Sequence, residues 1–76
     1  MATRTLSERV ADNVRAELAR AKVSQAKLAK EMDFTQQSIS RRLSGNVSFS
    51  VDELELIATF LGISVLTLIG DTEVAA

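Results

Sequence analysis

One local pattern occurs four times in this 76-residue chain: a large apolar residue, then Ser or Thr, then a second large apolar residue four places beyond the hydroxyl. The four are Val23-Ser24 with Leu28, Phe34-Thr35 with Ile39, Phe49-Ser50 with Leu54, and Ile63-Ser64 with Leu68. A hydroxyl in that place accepts a hydrogen bond from one of the free amides that open a helix. The apolar pair around it packs as a staple that sets the angle at which the chain enters. Each occurrence therefore marks a helix start. Ser50 with Glu53 adds a capping box, and Thr5 with Glu8 makes another at the front of a first helix. Gly45, Gly62 and Gly70 stand where helices should stop. The punctuation predicts five helices, over about 5–21, 24–32, 35–44, 50–61 and 64–69.

Apolar spacing gives each helix an inner face. Leu6, Val10, Val14 and Leu18 recur every four residues in the first, with Ala11 and Ala21 beside them. Leu28 and Met32 do the same in the second, and Val51, Leu54, Ile57, Ala58 and Leu61 in the fourth. Phe34 and Phe49 are assigned to packing, because the staple accounts for them. All connections but Gly45–Phe49 are two or three residues long. The expectation is an all-α, compact five-helix bundle forming a single domain over 1–76, with a core at 5–70 and a frayed tail at 71–76. At this length the core is near the lower size that holds itself together.

Chemistry is narrowed by what is missing. Without Cys or His, disulfides and the usual zinc, haem and Ser-His constellations are excluded, and no glycine-rich phosphate loop is present. The reading is a non-enzyme with no cofactor, no metal and no small-molecule ligand. No apolar run approaches the ~18 residues needed to cross a bilayer, and the charged amino terminus does not resemble a signal peptide. A reducing cytoplasm is the expected setting, with no membrane partner.

The net charge of −1 conceals an asymmetry. All nine basic residues fall in the first 42 positions with five acids, while residues 43–76 hold five acids and no base. A polyanion at the basic end is the implied partner.

The stretch TQQSISRRLSG, residues 35–45, shows how such a partner would be met. Only Asp33-Phe34 separates it from the helix before, and a sharp turn between two short helices is helix-turn-helix geometry. With Ile39 inward, Gln37, Ser40, Arg41 and Ser44 point outward, and Gln36 projects from the first turn. That face carries amides, hydroxyls and a guanidinium but no carboxylate. Amides pair with adenine and Arg with guanine in the major groove, whereas phosphates take Arg, Ser and helix-opening amides.

The segments SQAKLAKEMDFTQQSISRRLSG and SVDELELIATFLGIS resemble the Cro/C1-type helix-turn-helix family of phage and bacterial repressors, over roughly residues 6–70. The matching positions are Gln25, Ala29, Ile39, Leu54, Ile57, Ala58, Leu61 and Gly62. The resemblance implies a sequence-specific transcriptional regulator, a repressor or Cro-like protein on double-stranded DNA with a near-palindromic operator. It also implies that Gln25 holds a phosphate and braces Gln36. Gln36, Gln37 and Arg41, with Ser40 beside them, would read bases. Ser38 would lie near the backbone or a thymine methyl, and Arg42, Ser44, Asn46 and Lys27 would contact phosphates.

The chain departs from the family pattern in three ways. Asp33 stands where Gly is usual in the turn, and Asp tolerates the left-handed conformation better than most residues. Arg42 replaces an apolar residue and Leu43 a common Glu, so Leu43 should supply the packing while the Arg42 guanidinium turns to phosphate or to an acid such as Asp52 or Glu53. The pI near 5.3 is low for a DNA binder.

Leu56, Phe60, Val65, Leu66 and Ile69 remain after the core is filled and are expected to form a homodimer interface, used at least on DNA. A two-fold dimer sets recognition helices about 34 Å apart, one turn of DNA. The plainer reading is that the first and fifth helices cover these side chains. The same leftover surface, with the acidic second half, supports an alternative function: a helical protein-interaction module, antitoxin-like or host-targeting, that keeps the fold without reading DNA.

Overall fold

The five hydroxyl caps place the helices. In the computed structural model, which describes residues 5–70, α1 spans Leu6–Ala21, α2 Gln25–Met32, α3 Gln36–Leu43, α4 Val51–Leu61 and α5 Val65–Ile69. Thr5, Ser24, Thr35, Ser50 and Ser64 each accept from an amide in the turn that follows, and both expected capping boxes are formed. The expected helices 5–21, 24–32, 35–44, 50–61 and 64–69 had counted the caps, which accounts for the one-residue offsets. The expected tail at 71–76 lies outside the described residues. No helix among the described residues is long and apolar enough to cross a membrane.

The connections share a second rule, at the carboxyl ends. Lys22, Asp33, Gly45 and Gly62 all have positive φ. Around each, two amides fold back on the helix in the Schellman arrangement, as with Phe34 N to Ala29 O at 2.8 Å and Asp33 N to Lys30 O at 3.2 Å. At Lys22, Asp33 and Gly62 the residue that closes this loop is Val23, Phe34 or Ile63, the same apolar residue that opens the next staple. One helix stop and the next helix start thus share a side chain, so these joints are short and stiff. The glycines mark two of the left-handed positions, but nothing in the sequence marks Lys22. A β-carbon there is strained, so Lys22→Gly is expected to raise stability by about 0.5–1 kcal/mol in urea unfolding, the relief outweighing the added freedom of the unfolded chain.

Buried residues come from all five helices: Val10, Ala11, Val14 and Leu18; Leu28 and Ala29; Ile39 and Leu43; Leu54, Ile57 and Ala58; Leu68. All four residues placed four positions into a stapled helix are among them, and Val23, Phe34, Phe49 and Ile63 pack against the cluster from its edge. The inner stripes are shorter at their amino ends than the apolar spacing predicts. Leu6 is 52% exposed and Val51 74%, because each is the first residue of its helix, where the stripe runs past the edge of the core. Ala21, at the last position of α1, is exposed as well. α1 packs on α3, α4 and α5, while α2 packs on α3 and α4. The short α5 is tied down by Asn13 of α1, whose amide donates to the carbonyls of Leu68 at 2.9 Å and Gly70 at 3.0 Å.

Candidate nucleic-acid interface

α3 is held from beneath and at both ends, which leaves one side open. Ile39 and Leu43 enter the core. Thr35 Oγ1 accepts from Ser38 N at 3.0 Å at the start of the helix, and the Arg15 guanidinium of α1 donates to the Leu43 carbonyl at its end. This last contact joins residues 28 positions apart and has no signal in the sequence. Loop 45–49 is drawn to the same helix end: the Arg41 carbonyl accepts from Asn46 N, Val47 N and Ser44 Oγ, and Ser48 Oγ bonds Ser7 Oγ at 2.7 Å.

Gln36, Gln37, Ser40 and Arg41 are all exposed on the open side. Among the described residues, their side chains have no hydrogen-bond or ion-pair partner. Residues 34–51 contain no carboxylate, so the face presents donors and amide acceptors with the Arg41 guanidinium as its charge. Gln25, Lys27 and Asn46 are exposed at its rim, also with side chains unpartnered among the described residues. The expected brace from Gln25 to Gln36 is not formed, leaving both amides free.

Two expected phosphate contacts are engaged within the fold instead. Ser44 Oγ donates to the Arg41 carbonyl at 2.9 Å in the free chain. Arg42 turns to Glu53, one of the two acids anticipated for it, with Nε to Oε1 at 3.1 Å and Nη2 to Oε2 at 3.4 Å. Its Nη1 donates to Ser38 O at 3.1 Å and Ser38 Oγ at 2.6 Å, and its guanidinium carbon lies 4.7 Å from the centre of the Phe34 ring. Ser38 differs from Ser44 because its oxygen accepts, so its proton remains available.

The leftover apolar residues pack partly against the core or border two different grooves. Phe60, Val65 and Ile69 pack partly against the core, so the fold itself covers much of what was expected to be dimer surface. Leu56, 57% exposed, borders a groove between α2 and α4 with Met32 and Phe60, rimmed by Glu31 and Glu55. Leu66, 74% exposed, borders a different groove between α1 and α5, beside Asn13 and Ala16.

A capped α2, a left-handed stop at Asp33, the Phe34 pivot and an outward polar α3 together make a helix-turn-helix, the fold of a class of DNA-binding regulators. A family model described as "Helix-turn-helix" matches residues 14–68, from the second half of α1 to the last core residue of α5. The chain belongs to this family, the Cro/C1 type. No curated protein and no solved structure matches it.

Proposed function

We propose that the chain is a sequence-specific transcriptional regulator of the phage-repressor or Cro kind, which occupies a near-palindromic operator as a homodimer in a bacterial or phage-infected cytoplasm. The observation that carries this reading is the carboxylate-free, unpartnered outer face of α3. In this proposal Gln36, Gln37, Ser40 and Arg41 meet base edges. Gln25, Ser38, Asn46 and Lys27 hold the backbone. The protein acts by occupying its site and catalyses nothing. Leu66, with the half-buried Val65 and Ile69, offers the dimer contact on α5. A protein-interaction role is a second reading, favoured by the exposure of Leu56 and Leu66 at separate grooves.

Selection from a pool of random duplexes tests the proposal. It should enrich a site with two related halves about 10 base pairs apart, and an unenriched pool contradicts it. Lys27→Ala should weaken selected and random duplexes to a similar degree and reduce the slope of log affinity against log salt by about 1, as expected for one phosphate contact.

A further inference from the structure

Arg42 makes more contacts than a surface ion pair needs. A guanidinium carries five N–H protons. Four of those on Arg42 point at protein acceptors: Nε and Nη2 at the two oxygens of Glu53, and Nη1 at Ser38 O and Ser38 Oγ. The Phe34 ring lies against the guanidinium carbon, and the side chains of Arg42 and Glu53 are each only 18% exposed, so water screens the pair weakly. These partners belong to three parts of the fold: Glu53 to the first turn of α4, Phe34 to the α2–α3 joint, and Ser38 to the preceding turn of α3. Glu53 Oε1 also accepts from Ser50 N at 2.9 Å, so one oxygen serves both the α4 capping box and the tie to α3.

We propose that Arg42 is a positioning residue that locks the tilt of α3 against α4 and the α2–α3 joint. Gln37 and Arg41 then approach the duplex at one set angle. The inference rests on the DNA-reading proposal above and assigns Arg42 a role other than phosphate binding. It has a consequence for Ser38. With its oxygen accepting from a cation, the hydroxyl directs its single proton outward, making Ser38 a donor toward an acceptor on the DNA.

The salt slope separates positioning from phosphate contact. The full chain, Arg42→Met, Glu53→Gln and Arg41→Ala are titrated against the selected duplex and a scrambled duplex at several salt concentrations. Circular dichroism confirms that each is folded. Glu53→Gln retains an oxygen for the Ser50 cap but loses the charge that holds Arg42 and replaces one of its two acceptor oxygens with an N–H donor. Both Arg42→Met and Glu53→Gln should lose roughly tenfold in preference for the selected duplex, with the salt slope unchanged. A phosphate ligand at Arg42 predicts the reverse: equal weakening on both duplexes, a slope lower by about 1, and no loss in Glu53→Gln. That result overturns the proposal, as does unchanged preference in both folded variants. If Arg41→Ala alone alters preference, the positioning role fails and the DNA reading stands; if the wild-type chain shows no preference, both fall.

Discussion

Leu28→Ala should leave the domain barely folded. Leu28 is fully buried four positions into α2, stapled to Val23 and placed where α2 meets both α3 and α4. Truncating such a side chain removes its transfer energy and leaves a cavity, at a cost of about 2–5 kcal/mol. A chain of this length has a total stability on the order of 4–11 kcal/mol. Urea unfolding should therefore show the midpoint fall by roughly a fifth at the least and by the whole of the stability at the most, with DNA binding weakened as α3 loses its support. Leu6→Ala is the control: at 52% exposure it should change stability by about 0.5 kcal/mol or less. Equal effects at the two positions would contradict the core described here.

The second large effect is on recognition and should leave stability alone. Arg41 and Gln37 are exposed, and their side chains have no partner among the described residues, so alanine at either should shift stability by about 0.5 kcal/mol or less. Each bidentate contact to a base contributes about 1–3 kcal/mol of discrimination. Arg41→Ala and Gln37→Ala should accordingly reduce the preference for the selected site over a scrambled one by roughly ten- to a hundredfold each. Affinity for the scrambled duplex should fall only slightly for Gln37→Ala and more for Arg41→Ala, which also removes a positive charge. Binding curves on the two duplexes, measured at one salt concentration, decide it. A fall in affinity without a change in preference would show that neither side chain reads bases.

What the sequence disclosed was local. Caps and staples are settled within five or six residues, so all five helix starts and all four stapled core positions could be read directly. Family membership followed from the same residues, since Gln25, Ala29, Ile39 and the Leu54–Gly62 run fall within the matched segment 14–68. What stayed hidden depends on distant partners. The grip of Arg15 on the Leu43 carbonyl, the hold of Asn13 on the end of α5 and the Ser7–Ser48 contact each cross the fold between residues that no spacing rule connects. The apolar residues left over from the core are divided by the fold for a similar reason. Leu56 and Leu66 share a hydrophobic character in the sequence, yet α2 stands beside one and α1 beside the other. Arg42 lay between these cases: its turn toward Glu53 could be anticipated from charge, but its contacts with Ser38 and Phe34 needed the helices in place.

The central claim is that the open side of α3 is a DNA-reading surface. The most direct test is nuclear magnetic resonance of the labelled chain during titration with the selected duplex, following the side-chain amides of Gln36 and Gln37 and the Nε–H of Arg41. The account predicts that these signals shift first and furthest, together with the backbone amides at the start of α2, while the Leu56 groove is unmoved. Changes confined to the Leu56 or Leu66 grooves, with the α3 side chains untouched at saturating duplex, would contradict it.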